Sequence, residues 1–264
     1  MIIIIKSFIK QLFENSLFLN VLGGFIVAIL TSIYIIVKNN IIGFKFKRLI
    51  GFNINKYVIV YSELKYENRT SEGNNFVFTK EGINQPFSSS FIIPSCESRA
   101  ANYLNILFYK SLGKSVGLVT DASIKTTTSL PYCSIGGMNN YKSVEIIESL
   151  SNQFLSLERN SIIYNKSRIE DRFEFSSKYD LCAIIKIKAQ GNTKICVSGL
   201  GNGEHQEVLV FINKWKELKK YVKNKEFGAI VRVKHFSDDS AELIYVVNGK
   251  LKLIKYKHSI YLKI

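Results

Sequence analysis

Apolar residues run without a charge from Ser16 to Val37, SLFLNVLGGFIVAILTSIYIIV, and the run stops at Lys38. A run of that length crosses the roughly 30 Å hydrocarbon core of a bilayer as one helix, and it exceeds the roughly 7–15 residues of a signal-peptide core. No small-residue cleavage motif follows it. A soluble helix without a polar face would need burial on every side. The pattern therefore predicts one transmembrane helix, within an N-terminal segment of residues 1–40. Lys6 and Lys10 precede the span, whereas Lys38, Lys45, Lys47, Arg48 and Lys56 follow it. The positive-inside bias then places the C-terminal part in the cytoplasm and the span in the cell inner membrane. Asn20, Gly24, Ala28 and Ser32 recur every four residues and share one helix face. Small residues at that spacing let membrane helices approach closely, so this face is the expected packing surface of a homo-oligomer.

Beyond the span the period changes. Residues 41–56, IIGFKFKRLIGFNINK, alternate apolar and basic positions and read as a juxtamembrane connector at headgroup level. Residues 57–264 read as one α/β domain. Its first strand is Tyr57–Leu64, followed by a stretch from Lys65 to Pro94 that is rich in Asn, Ser, Gly, Glu and Thr, lacks a period and reads as a long loop. Ser95 offers an N-cap for a helix reaching Gly113, with Ala100, Leu104, Leu107 and Phe108 on its buried face. Ser115–Asp121 is the next strand. Tyr132–Ile135 is another, and it enters Gly136, Gly137, Met138, Asn139 and Asn140 ahead of an amphipathic helix over Tyr141–Leu155, with Val144, Ile147, Leu150 and Phe154 on one side.

The strand–glycine loop–helix pattern then recurs. Asp180–Ala189 and Lys194–Ser198 form a hairpin around Gln190, Gly191 and Asn192, and the second strand enters GLGNGEH. A helix over Gln206–Lys220 follows, with Val208, Phe211, Ile212, Trp215 and Leu218 at helical spacing. Phe227–Lys234 and Ala241–Val247 read as strands around the turn Ser237–Ser240, and Asn248-Gly249 signals a last hairpin. This alternation implies a Rossmann-like three-layer α/β domain, with a mainly parallel sheet and C-terminal antiparallel hairpins.

Charge narrows the partners. The formal net charge is +15, which suits attraction to an anionic membrane surface and, secondly, a negatively charged ligand. The lysines are spread along the chain instead of gathered in one basic stripe, which argues against direct nucleic-acid binding. Cys96, Cys133, Cys182 and Cys196 form no C-x-x-C pair and no metal-ligand spacing, so they read as reduced, buried thiols and no metal is expected.

Ligands of layered α/β sheets bind beyond the carboxyl ends of the strands, where both glycine loops are expected. Glycine admits positive φ there and lets backbone amides converge on an anion. Gly199, Gly201, Asn202 and Gly203 are the first candidate nest, with His205 at its mouth; Gly136, Gly137 and Asn139 are the second. Neither matches a dinucleotide fingerprint or a Walker loop, and no cofactor is implied beyond a nucleotide-like signal. Catalytic candidates are Glu204 and His205, with Ser134, Ser198 and Asp121 near the same edge, but no G-x-S-x-G elbow supports nucleophilic chemistry. Trp215 and its apolar neighbours read as helix-packing residues, and His235 and His258 as surface or structural residues of strands.

With one N-terminal span and the strand-end motifs S-I-G-G-M-N-N and C-V-S-G-L-G-N-G-E, the chain from about Ser16 to His235 resembles the membrane-tethered sensor proteins of prokaryotic antiviral systems. Those pair transmembrane helices with nucleotide-binding domains of the CARF, SAVED or SLOG type. The resemblance implies an antiphage sensor-effector that binds a cyclic or linear nucleotide signal, assembles and disturbs the membrane. Two other readings stand beside it: a membrane-anchored enzyme that hydrolyses or transfers a nucleotide or nucleoside, and a membrane-attached scaffold that binds another protein.

Overall fold

The computed structural model describes residues 16–51, 56–63, 65–67, 77–80, 83–86, 95–127, 129–158, 161–166, 169–174, 176–200, 206–234 and 237–248. The chain divides into two compact units, Met1–Phe44 and Lys45–Ile264. Helix α1 (Ser16–Ile50) is long and apolar enough to cross a membrane. Its apolar side chains, among them Phe25, Ile29, Tyr34 and Ile36, are exposed. Asn20, Gly24, Ala28 and Ser32 are exposed as well, and a Cβ at Gly24 would meet nothing within 4 Å. The Ser32 hydroxyl donates back to the Ala28 carbonyl at 2.8 Å, which satisfies it within the helix.

The helix does not end at Lys38. The stretch expected as an interfacial connector continues it to Ile50, because Phe46, Leu49 and Ile50 fall at i, i+3 and i+4 and are buried in the second unit. Gly51, at φ +101°, closes the helix in the left-handed conformation that glycine favours, and its amide donates to the Lys47 carbonyl at 2.9 Å.

In chain order the second unit contains β1 (Val58–Tyr61), β2 (Lys65–Glu67), β3 (Val77–Lys80), β4 (Ile83–Pro86), α2 (Ser95–Leu112), β5 (Gly117–Thr120), β6 (Tyr132–Ile135) and α3 (Tyr141–Ile147). It continues with β7 (Ser156–Leu157), β8 (Ser161–Lys166), β9 (Ile169–Glu174), β10 (Tyr179–Ala189), β11 (Asn192–Leu200), α4 (Gln206–Val222), β12 (Phe227–Lys234) and β13 (Ser237–Asn248). Seven strands form one mixed sheet in the order β13-β12-β10-β11-β6-β1-β5. Strands β5, β1, β6 and β11 run parallel, with Val58 opposite both Gly117 and Tyr132, and Tyr132 opposite Lys194. The other three are added antiparallel. Gln190 and Gly191 make the β10–β11 turn, both at positive φ, the primed geometry that matches strand twist.

Strand alternation assigns the two faces. Val60, Tyr132, Ala183, Ile185, Cys196 and Ile230 join Ile146, Phe154, Leu155, Ile162 and Phe173 in one core. On the opposite face Tyr57 meets Phe108 of α2, and Phe46 lies between Phe108 and Trp215 of α4.

The structure departs from the sequence pattern in three further places in the second unit. The Lys65–Pro94 stretch, expected as loop, carries the three-stranded antiparallel sheet β2–β4. The helix expected over Tyr141–Leu155 stops at Ile147, because the Asn152 amide group donates to the carbonyls of Ile147 and Leu155 and turns the chain. Phe154 and Leu155 then pack where a Cβ on Gly228 would stand, and Leu150, expected on the buried face, is 98% exposed. Ser237–Ser240, expected as a turn, belongs to β13, which continues past it through register shifts. Gly249 of the expected Asn248-Gly249 hairpin and the strand beyond it lie outside the described residues.

Two lysines, Lys142 and Lys194, are each 1% exposed and share one carboxylate, Glu145. Lys142 donates to Glu145 at 2.7 Å and to the carbonyls of Thr127 and Lys125 at 2.7 and 3.2 Å; Lys194 donates to the other Glu145 oxygen and, at 3.5 Å, to Gln190. Both ammonium groups flank the Tyr132 ring, at 5.7 and 5.5 Å. Burial alone would raise the Glu145 pKa, but hydrogen bonds and charge from the two lysines hold it below the usual carboxylate range. A lowered native value means that the stabilisation is complete above the unfolded value of about 4.3 and fades as pH falls through the native one. Glu145→Gln leaves two buried cations without a counter-charge and should cost about 3 kcal/mol at pH 7. The gap from wild type, read from urea midpoints, should narrow below about pH 4; a pH-independent gap would overturn the assignment.

Candidate functional site

The connections leaving the parallel strands part company between β1 and β6. From β1 the chain passes through α2 to β5 on one side; from β6 it proceeds towards β11 on the other. Where neighbouring strands send their connections apart, a crevice opens at their carboxyl ends. The groups at that edge are Ser62 and Glu63 after β1, Asp121 after β5, Gly136–Asn140 after β6, Ser198 and Gly199 near the end of β11, and Glu97 from the first turn of α2.

Asn140 holds the edge together. Its amide group donates to Ile135 O at 2.8 Å and Val60 O at 3.3 Å, joining β6 to β1. Its carbonyl oxygen accepts from the amides of Lys142 and Ser143 and so caps α3. The Ser143 hydroxyl donates to Gly136 O at 2.6 Å and fixes the start of the loop.

Carboxylates of the chain itself occupy the backbone donors beside this loop. Glu97 accepts from the Ser62 amide at 2.6 Å and its hydroxyl at 3.1 Å. Asp121 accepts from the Glu63 amide at 2.9 Å and the Tyr141 amide at 2.8 Å. Gly136 is buried at φ +92°, and a Cβ there would stand 2.5 Å from the nearer Glu97 oxygen. Both its backbone and its surroundings thus require glycine. Gly137 has a steric reason alone, since its Cβ would stand 2.6 Å from the Ser198 hydroxyl. That hydroxyl is fully buried and finds no hydrogen-bond partner among the described residues.

Of the residues expected from sequence, Gly136, Gly137, Asp121 and Ser198 come to this edge, and Asn139 is half-buried in the same loop. Gly199, expected to open the second glycine loop, instead pairs with Cys182 inside β11. Gly201, Asn202, Gly203, Glu204 and His205 lie outside the described residues, as do His235 and His258. Ser134 donates to Ile195 O at 3.3 Å within the sheet. Glu97 and Asn140 were missed as site residues: Asn140 is legible only as a helix cap, and the reach of Glu97 to Ser62 depends on α2 packing on β1. Cys133, Cys182 and Cys196 are buried thiols outside any disulfide, and burial, reinforced by Cys196, pushes the Cys133 thiol far up, which suits inert packing. Among the described residues no three His, Cys, Asp or Glu side chains gather to hold a metal.

The contact beneath Gly137 is testable by a double-mutant cycle. Gly137→Ala should destabilise the protein by about 1–3 kcal/mol, as overpacking does. In a Ser198→Ala background the nearest obstacle becomes a Cβ at 3.8 Å, and the same substitution should be close to neutral. Ser198→Ala alone should leave the melting temperature equal or higher, since it removes a buried hydroxyl without a partner among the described residues. Equal costs of Gly137→Ala in both backgrounds would refute this packing. Compared with known proteins, the chain matches no family model and no curated sequence.

Proposed function

We propose that the chain is a membrane-anchored sensor-effector of antiviral defence, whose Rossmann-like cytoplasmic domain binds a nucleotide-like signal and whose α1 spans the inner membrane and packs in a homo-oligomer. The observation that carries this reading is the β1/β6 edge, where a glycine loop opens at the point from which the strand connections diverge. The Ser198 hydroxyl beneath that loop, without a partner among the described residues, and the bare apolar length of α1 support it. Glu97 and Asp121 repel a phosphate placed against them. Their carboxylates suit hydroxyl or amino donors of the same ligand.

A second reading, the protein-binding scaffold, is favoured by the same carboxylates, since they already occupy amides that an anion would use. A thermal-shift screen of the full chain in neutral detergent against mononucleotides, cyclic oligonucleotides and dinucleotide cofactors separates the two. A ligand at about 100 times its dissociation constant should add roughly 2.7 kcal/mol of stability. A hit abolished by Gly201→Leu supports the sensor; silence across the panel favours the scaffold. If Gly24→Leu leaves oligomer size and signal-dependent membrane leakage unchanged, the proposed coupling through α1 is wrong.

A further inference from the structure

Cations that are scattered along the sequence are gathered by the fold at one place in the second unit. Phe46 is fully buried, its ring centroid 5.2 Å from that of Phe108 and 5.0 Å from that of Trp215, which fixes the end of α1 against α4. Lys45, Lys47 and Arg48 flank Phe46 on α1; Lys219 lies one turn beyond Trp215 on α4, and Lys220 follows it. Lys45 and Lys220 are exposed, and the other three are partly so. Burial, together with the like charges of Arg48 and Lys45, holds the Lys219 ammonium below the usual lysine range, so these groups feel one another across the two helices. The nearby acid on α4, Glu217, pairs with Lys214 at 3.4 Å. Among the described residues no carboxylate pairs with Lys45, Lys47, Lys219 or Lys220.

We propose that Lys45, Lys47, Arg48, Lys219 and Lys220 form a binding surface for anionic phospholipid headgroups. Mutual repulsion among Lys45, Lys47, Lys219 and Lys220 is relieved by a phosphate, and three residues of the patch lie on the helix that carries the uncharged run, beginning about two turns beyond its last residue. A lipid fits better than single-stranded nucleic acid, because the uncharged apolar run lies on the same helix and the two central rings, Phe46 and Trp215, are buried. The proposal rests on the reading of α1 as a membrane span and goes beyond the signal site, from which none of these residues is drawn.

The test uses the full chain in neutral detergent, titrated with phosphatidylglycerol or phosphatidylcholine while the melting temperature is followed. Phosphatidylglycerol should raise it saturably and phosphatidylcholine should not, and high salt should suppress the effect. Lys45→Gln/Lys219→Gln/Lys220→Gln should weaken the phosphatidylglycerol midpoint at least tenfold without lowering the lipid-free melting temperature, whereas Lys110→Gln/Lys178→Gln should not. An unchanged midpoint in the triple variant, an equal response to both lipids, or a stronger response to an oligonucleotide or to polyglutamate overturns the proposal. Alkaline carbonate extraction of the full chain keeps the premises apart. Release from membranes removes the span and the lipid surface together, while retention without a phosphatidylglycerol response removes the lipid surface alone.

Discussion

The Asn140 side chain is the point on which the glycine edge depends. One planar amide spends its donors on carbonyls of β1 and β6 and its acceptor on the first amides of α3. Two parallel strands and a helix start are thereby fixed within one residue's reach. Because the residue is fully buried, each of those bonds replaces water that cannot enter. The loop Gly136–Asn139 has its shape because both its ends are held: Gly136 N donates to Val197 O, and Asn140 N donates to Gly137 O.

Around that fixed point the second unit places its charges unequally. At the carboxyl edge of the parallel strands, Glu97 and Asp121 accept backbone amides and make the rim acidic. Near the amino ends of β6 and β11, Lys142 and Lys194 are buried around Glu145 and Tyr132, where they tie the 122–127 turn and the β10–β11 turn to α3. Cations thus serve as internal struts at one end and carboxylates as internal anions at the other. A large net positive charge consequently says little about the polarity of the carboxyl edge itself.

The large-scale order was legible in the sequence where one local rule sufficed. An uncharged run of membrane length, the 3.6-residue spacing of Ala100, Leu104, Leu107 and Phe108, the short strand at Tyr132–Ile135 and the Gln190-Gly191 turn each depend on neighbours close in the chain, and each is found. The signal failed where a distant partner decided. Tyr141–Leu155 carries a helical pattern throughout, yet Asn152 ends the regular path and sends Phe154 and Leu155 into the core beside Gly228. Lys65–Pro94 is polar enough to read as loop, and cross-strand pairing of Lys65 with Thr79 and of Phe78 with Gln85 makes part of it a sheet.

By itself, then, the sequence determined a long bare apolar helix, an α/β alternation and glycines at strand ends, because hydrophobic periodicity and the missing Cβ are local properties. Only the tertiary structure decided what each glycine is for. Gly136 yields to Glu97 and Gly137 to Ser198, while Gly199 pairs within a strand. It also decided that lysines far apart in the chain stand together, since Phe46 packing on Trp215 brings Lys45 and Arg48 to Lys219. Contacts between residues more than a hundred positions apart leave no period in a single sequence, and the fold alone sets their distances.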